Sequence, residues 1–252
     1  MTRTACCEAV AEEIVPVTDP VIPATIVEIV QETPTIKSFL LDYGDLPYAF
    51  IAGQWLQLAL PDVTDAKVSY SITSAPHTAG RVQLAIKAGN SHPVTRHLYE
   101  QAQVGDEVRI SHGQGRFCFD RTQGDHVVLL GGGVGVTPLL SILRHIDAME
   151  PGVKVTLLYS VAAPEEVLFA AELAAMAERN PAVELLITVT RPQAHAWEGL
   201  VGRIDEAMLR AAGAAPESVH FICGPNQMVD DTVALLQGMG IPEARLVYEK
   251  WW

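Results

Sequence analysis

Apolar and polar residues follow two different patterns along the chain, and the pattern changes near residue 122. Between Ile22 and Arg121, short segments alternate apolar and polar residues, which is typical of strands with one buried face. The clearest alternation covers residues 24–30, 55–60, 68–73 and 82–86, with glycine- and proline-containing turns between the segments. A short helix is expected after Pro93. The pattern predicts an antiparallel β-barrel domain over residues 22–122.

From Gln123 onward, continuous apolar runs alternate with helical segments. The expected strands cover residues 127–130, 153–159, 183–189 and 219–223, and the expected helices cover 138–149, 165–179, 204–212 and 226–239. Strands that are buried on both faces of a parallel sheet have this apolar character. The sequence therefore predicts a parallel-sheet α/β domain over residues 123–252. Residues 1–21 lack periodicity and are predicted to be a flexible extension.

Composition and charge narrow the class of protein. The 252 residues are enough for two domains with separate cores, and 49% hydrophobic residues with 19% charged residues indicate a globular chain. A net charge of −13 disfavours nucleic acid and anionic membranes as partners. No apolar stretch reaches the ~20 residues that span a bilayer, and no signal-peptide layout is present. We expect a cytoplasmic protein without membrane insertion.

The four cysteines do not have the spacing of a metal site. Cys6, Cys7, Cys118 and Cys223 match neither zinc nor iron–sulfur ligand patterns, so no metal and no iron–sulfur cluster is expected on this chain. Cys6 and Cys7 are adjacent in the predicted extension. They are either two ordinary thiols or a pair that binds metal or undergoes redox chemistry.

A glycine run, Gly131–Pro138, ends one apolar strand and opens a helix. Glycines let backbone N–H groups approach a ligand, and a helix N-terminus attracts negative charge, so the run predicts a phosphate or pyrophosphate site. A tight turn that needs glycine for steric reasons is the alternative. Thr137 and Pro138 suit the cap and the first helical position. The GxGxxG fingerprint is not matched, because Pro138 replaces its third glycine and Ser160 replaces the acidic residue after the second strand.

Three further segments carry candidate chemistry. Cys223-Gly224-Pro225 ends a strand at the edge where doubly wound sheets bind ligands, although a buried, inert cysteine is the alternative. In residues 68–73, alternation places Ser69, Ser71 and Thr73 on one face and Tyr70 on the other, which also fits a polar edge strand. The chain ends in Trp251-Trp252, and packing on a flat group best explains such a terminal pair.

These motifs occur in the order of the ferredoxin–NADP reductase superfamily, which the chain resembles from Ile22 to Trp252. Within it, Asn90–Pro93, Gly131–His145 and Glu249–Trp252 resemble the oxidoreductase NAD-binding domain-containing proteins. The resemblance implies a flavin on the barrel and a nicotinamide dinucleotide on the parallel sheet. It also implies an NAD(P)H oxidoreductase whose external electron acceptor is a protein or a small molecule. FAD is favoured over FMN, because the aromatic tail in this superfamily often packs along the flavin as far as its adenine.

The resemblance also implies roles for single residues. Tyr70 stacks on the flavin ring, Ser71 bonds near its N5, Cys223 borders the nicotinamide C4, and Glu249 handles protons. The implied catalytic residues are Ser71, Cys223, Glu249 and Trp251. The implied flavin-binding residues are Ser69, Tyr70, Ser71, Ile72, Lys87, Pro93, Val94, Thr95, Trp251 and Trp252. The implied dinucleotide-binding residues are Gly132, Gly133, Val134, Thr137, Ser160, Cys223, Gly224, Pro225 and Met228.

One position departs from the superfamily pattern. Val68 stands where the superfamily has an arginine that pairs with flavin phosphate. Lys67 points to the opposite face of its strand, so Lys87 and Arg96 are the candidates to compensate. The departure predicts a flavin that binds but is lost readily. It keeps a non-catalytic nucleotide-binding module open as an alternative, beside an electron-transfer subunit of a larger complex.

The choice of dinucleotide follows from charge. After Tyr159-Ser160, the chain has Glu165 and Glu166 and no cation that could receive a 2′-phosphate. NADH is therefore favoured over NADPH. Arg191 is the residue that could reverse this preference.

Overall fold

The computed structural model describes residues 19–61, 66–89, 91–192 and 197–250. Cys6, Cys7, Asn90, Trp251 and Trp252 lie outside these described residues, so the expectations for them stay predictions. The chain divides into two compact units after Phe119, and residues 140–142 group with the first unit. Each unit contains its own sheet.

The first unit contains an antiparallel sheet that curls into a barrel-like form. Its strand order is β4-β3-β6-β1-β2-β5. A bridge between Ile72 and Leu84 joins the two ends of this order. Buried side chains of β1, β2, β3, β5 and β6 form the core inside, and the half-buried Val68 and Tyr70 of β4 pack against it. The elements are β1 (Ile22–Thr33), β2 (Ile36–Asp42), β3 (Trp55–Ala59), β4 (Lys67–Ser71), β5 (Arg81–Lys87), α1 (Pro93–Glu100) and β6 (Glu107–Ile110).

The second unit contains a parallel sheet with the order β10-β9-β8-β7-β11-β12. Its strands are β7 (His126–Gly132), β8 (Lys154–Val161), β9 (Val183–Val189), β10 (Leu200–Val201), β11 (Val219–Gly224) and β12 (Leu246–Lys250). Its helices are α2 (Val136–Met149), α3 (Ala170–Arg179), α4 (Glu206–Ala211) and α5 (Asn226–Gly238). Strands β8, β9 and β10 lie on one side of β7, and β11 and β12 lie on its other side. This switch in strand order creates a crevice at the carboxyl ends of β7 and β11.

The predicted fold class is confirmed, with an antiparallel barrel-like sheet followed by a parallel sheet with helices. Several boundaries were wrong. Residues 165–179 are not one helix, because a 3-10 turn at Pro164–Glu166 is followed by Val167, Leu168 and Phe169, which are all buried. Three consecutive buried side chains cannot share one helix face, so the helix begins only at Ala170.

The start of α2 and the end of the chain also differ from the prediction. A 3-10 turn at Gly133–Gly135 lets α2 begin at Val136, so Thr137 and Pro138 are its second and third residues rather than its cap and first residue. Tyr248–Lys250 belong to β12, a strand that pairs with β11, rather than to a tail. Within the described residues, no helix has the length and apolar character needed to cross a membrane.

Candidate functional site

The first unit brings the end of β4 and the start of α1 together. The Tyr70 hydroxyl and Thr95 Oγ1 lie 2.8 Å apart and are hydrogen-bonded. Burial raises the pKa of Tyr70 to about 12, so the phenol stays neutral. Thr95 is buried beside Val94 in the first turn of α1. The contact fixes the Tyr70 ring next to a helix N-terminus.

The N-terminus of α1 has no side-chain cap. His92 is the cap residue and makes no capping hydrogen bond, and Pro93 begins the helix. The first N–H groups of a helix have no partner within it, which suits an anionic ligand. At the C-terminal end of α1, Lys37 Nζ donates a hydrogen bond to the Tyr99 carbonyl at 2.6 Å. The uncapped N-terminus of α1 therefore lies beside Tyr70.

The other barrel residues of the predicted flavin site lie on β4 or just after it. Ser71 and Ile72 are buried, and the Ile72 N–H donates to the Gln54 carbonyl at 2.9 Å. Ser69 is half-buried and pairs with Gln57 of β3. β4 is the first strand in the order of the sheet, and Ser71 and Thr73 are buried where the Ile72–Leu84 bridge joins its end to β5.

Val68 is an apolar residue next to Lys67, which is the cation of β4. Its half-buried side chain packs against the barrel core, beside the Tyr70 ring. Lys67 pairs with Asp19 at 2.8 Å. Lys87 and Arg96 are both exposed, at the end of β5 and in the first turns of α1. Because α1 packs against β4 and β5, both cations belong to the same end of the sheet as Tyr70.

In the second unit, the glycine turn and the Cys223-Gly224-Pro225 turn meet at the crevice between β7 and β11. A Cβ on Gly135 would lie 2.5 Å from Gly224 Cα, and a Cβ on Gly132 would lie 2.2 Å from Met228 Sδ. A side chain at Gly135 would collide with the backbone of the second turn, whereas a side chain at Gly132 would require the flexible Met228 side chain to move. The two turns touch through backbone atoms, as a close approach to a ligand requires.

Gly133 is half-buried and begins the 3-10 turn. Its φ is +53°, in the left-handed region that favours glycine, and the space around a Cβ there is open for 4 Å. Val134 is half-buried, and its carbonyl accepts a hydrogen bond from Thr137 Oγ1 at 2.8 Å. This bond replaces the predicted capping role of Thr137. The turn therefore presents backbone, followed by the N-terminus of α2, to the crevice.

Cys223 and Glu249 are neighbours on adjacent strands of the sheet, near the carboxyl ends. Cys223 is fully buried. Glu249 Oε2 is buried and has no hydrogen-bond partner in the described part of the chain. Burial raises the pKa of Glu249 to about 7. A carboxyl group with this pKa can hold or release a proton near neutral pH.

The remaining predicted residues lie at or after the carboxyl ends of the parallel strands. Ser160 is half-buried on β8 and pairs with Gly132, and Pro225 is exposed at the start of α5. Glu165 is exposed and Glu166 is half-buried in the 3-10 turn that follows β8. Arg191 is exposed, and its N–H donates to the Ala162 carbonyl at 2.9 Å. This bond keeps Arg191 close to the segment that follows β8.

Sequence reasoning did not select Tyr159 as a site residue. Tyr159 is fully buried on β8, and its hydroxyl donates to the Gly133 carbonyl at 3.0 Å. A tyrosine in an apolar strand resembles any other core residue, so the sequence carried no signal for this contact. The hydroxyl is a polar handle that a buried tyrosine must satisfy.

Two family models match the chain. The oxidoreductase FAD-binding domain matches residues 24–119, and the oxidoreductase NAD-binding domain matches residues 129–234. Oxidoreductase NAD-binding domain-containing protein 1 of Xenopus tropicalis is 31% identical over 91% of this chain and 79% of that protein.

Solved structures agree with the family models on the fold. The flavohem-like FAD/NAD-binding domain of nitric oxide dioxygenase from Vibrio cholerae aligns with a TM-score of 0.79 and 24% identity, over 92% of this chain and 99% of that one. A ferredoxin NADP+ reductase from Neisseria gonorrhoeae with bound FAD and NADP aligns with a TM-score of 0.75 and 25% identity, over 91% and 98%.

Proposed function

Because this chain belongs to the ferredoxin–NADP reductase superfamily, within the oxidoreductase NAD-binding domain-containing group, we propose that it is a flavin-dependent NAD(P)H oxidoreductase. It takes electrons from NADH and passes them to an external protein or small molecule. The observation that carries this proposal is the crevice where the Gly133 turn, Cys223 and Glu249 meet. FAD is the favoured flavin, residues 22–122 its domain, and residues 123–252 the dinucleotide domain.

The barrel residues fit a flavin. Tyr70, fixed by Thr95, offers its ring for stacking, and Ser71 supplies a hydroxyl for the flavin N5. Ser69 and Ile72 border the same strand end, and the Val94 and Thr95 N–H groups at the start of α1 would hold its phosphates. The proposal also assigns flavin binding to Trp251 and Trp252, which lie outside the described residues. When bound, FAD supplies the hydride acceptor that the protein's own side chains lack.

The crevice residues fit the dinucleotide. Gly132, Gly133, Val134 and Thr137 hold its pyrophosphate at the positive end of α2. The other contacts are distributed along the carboxyl edge of the sheet, with the ribose beside Ser160 and the nicotinamide beside Cys223, Gly224, Pro225 and Met228. Glu249 holds or releases a proton there, because its pKa is about 7.

NADH is the favoured dinucleotide because of the charges that follow β8. Glu165 and Glu166 would repel a 2′-phosphate, and no cation lies between Ser160 and Glu166. The hydrogen bond described for Arg191 runs from its backbone N–H to the Ala162 carbonyl and does not involve its guanidinium group.

Turnover tests the proposal. The protein, incubated with excess FAD, is mixed with NADH and a small artificial acceptor such as ferricyanide. We expect flavin-dependent NADH oxidation, and we expect Cys223→Ala to lower kcat about tenfold by misplacing the nicotinamide. Cys118→Ala is the matched control, because Cys118 is also a buried cysteine but lies in the first unit. Equal losses in both variants would argue against the role of Cys223.

Val68 is the one residue that favours a second function, which is nucleotide binding without catalysis. A barrel without the phosphate-binding arginine fits a nucleotide-binding module that does not turn over. NADH binding without any flavin binding, after incubation with FAD or FMN, would support this module. A partner that co-purifies and restores turnover would instead indicate an electron-transfer subunit.

A further inference from the structure

Phe169, the residue directly before α3, has a backbone conformation that residues with side chains rarely adopt. Its φ is +54°, and it is the one residue other than glycine with a positive φ in the part of the chain that the structure describes. For a bulky residue this left-handed conformation is strained, so the surrounding contacts must hold it. Phe169 is buried and is the N-cap of α3, with no side-chain capping hydrogen bond. Other groups therefore fix the start of α3.

Arg144, in the third turn of α2, contacts both Phe169 and the first turn of α3. Its guanidinium carbon lies 4.6 Å from the centre of the Phe169 ring. The same guanidinium donates two hydrogen bonds to Glu172, from Nε to Oε1 at 2.7 Å and from Nη2 to Oε2 at 2.6 Å. The Arg144 side chain is only 14% exposed, and the paired bonds use the planar fork of its guanidinium. One side chain therefore holds the strained residue and the helix that follows it.

Residues 162–169 connect β8 to α3 and contain the acidic turn of Glu165 and Glu166. Between this turn and Phe169, Val167 and Leu168 are both buried. A change at Phe169 therefore passes to the acidic turn through packed side chains and is not absorbed by a loose loop. In doubly wound sheets, the end of the second strand lies beside the ribose of a bound dinucleotide.

We propose that Arg144 is a positioning residue that, through Phe169, fixes the acidic turn of Glu165 and Glu166 and thereby sets the discrimination between NADH and NADPH. This role rests on the proposed function, since it requires a dinucleotide whose 2′ group faces the turn. The two carboxylates repel a 2′-phosphate most strongly when they are held beside it. NADH has no 2′-phosphate, so a displaced turn changes its binding less.

Arg144→Ala tests the role, with Arg179→Ala as the matched control. Arg179 also joins α3 to α2, because its Nη1 donates to Asp147 Oδ1 at 3.1 Å, but it lies in the last turn of α3, away from the acidic turn. We expect Arg144→Ala to lower the ratio of kcat/KM for NADH to kcat/KM for NADPH about threefold, chiefly by lowering the KM for NADPH. We expect Arg179→Ala to leave this ratio unchanged.

Glu172→Gln is a milder variant, because it keeps Arg144 on the Phe169 ring and weakens only the ion pair. We expect it to lower the same ratio by a smaller factor. It keeps the role testable if Arg144→Ala does not fold.

A double-mutant cycle separates positioning from a general effect on the structure. When Glu165 and Glu166 are both replaced by Gln, we expect Arg144→Ala to cause no further fall in the ratio, because the charges that it positions are gone. An equal fall with and without the two carboxylates, or an unchanged ratio in Arg144→Ala and Glu172→Gln, would overturn the positioning role alone. A wild-type protein that does not oxidise NADH would overturn the proposed function, and the positioning role with it.

Discussion

The two candidate sites differ in what forms them, since one consists of backbone turns and the other of side chains. In the parallel-sheet unit, backbone turns form the candidate dinucleotide site, and a Cβ at Gly135 would collide with the backbone at Gly224. In the barrel-like unit, the flavin site depends on individual side chains, chiefly Tyr70 and the exposed cations. A backbone site is fixed by the fold, whereas a side-chain site changes with single substitutions. Val68 is such a change.

The largest effect is expected where a side chain would separate the two backbone turns. Gly135→Ala places a Cβ 2.5 Å from Gly224 Cα, and overpacking of this kind costs about 2–3 kcal/mol. We expect the free energy of unfolding to fall by that amount in urea denaturation, with loss of NADH binding. Gly133→Ala is the control, since its space is open and its positive φ costs only about 1 kcal/mol. Equal stability of the two variants would contradict the close contact.

The second-largest effect is expected at the candidate flavin site, when positive charge is removed from it. We expect the double variant Lys87→Ala, Arg96→Ala to raise the FAD dissociation constant at least about tenfold, because charged hydrogen bonds contribute about 1.5–3 kcal/mol. NADH affinity should not change. Arg81→Ala is the control, because Arg81 lies at the other end of β5 and pairs with Asp42. A submicromolar FAD dissociation constant that both substitutions leave unchanged would refute the compensation by Lys87 and Arg96.

A smaller effect concerns the dinucleotide. We expect kcat/KM to be at least about fivefold higher for NADH than for NADPH, because Glu165 and Glu166 repel a 2′-phosphate. Glu165→Gln should reduce this ratio, and Glu243→Gln, on another exposed 3-10 turn, should not. Comparable kcat/KM values for the two dinucleotides in the wild-type protein would refute the preference.

The smallest effect is a dependence of stability on pH. Burial raises the pKa of Glu249 to about 7, so the folded protein binds its proton more tightly than the unfolded chain does. Its contribution to stability is present below the ordinary pKa of a glutamate and is lost as the pH rises toward and through 7. We expect the Tm of the wild-type protein to fall over this range and Glu249→Gln to remove part of the fall. Identical profiles would show that Glu249 is not buried as described.

The repeating patterns of the sequence were enough to predict the fold class. Alternation predicted the barrel strands, and apolar runs predicted β7, β8, β9 and β11. The strand β12 was missed, because Tyr248–Lys250 reads as a polar and aromatic tail and becomes a strand only by pairing with β11. The break before α3 was missed because the sequence does not show that Val167–Phe169 are all buried.

The candidate site was predictable where local sequence determines it. The glycine turn and the Cys223-Gly224-Pro225 turn follow strands directly, so their place at the sheet edge follows from topology. The contacts of Tyr159 with Gly133 and of Tyr70 with Thr95 join residues that are 26 and 25 positions apart. Such pairings depend on the packed structure, and no short motif encodes them.

The most direct test of the account is the visible absorption spectrum of the purified protein, with FAD supplied, before and after anaerobic addition of NADH. We predict flavin bands near ~370 and ~450 nm that bleach when NADH is added, because NADH reduces the bound flavin. A protein that stays colourless after incubation with excess FAD or FMN would contradict the account, and so would bound flavin that NADH does not reduce.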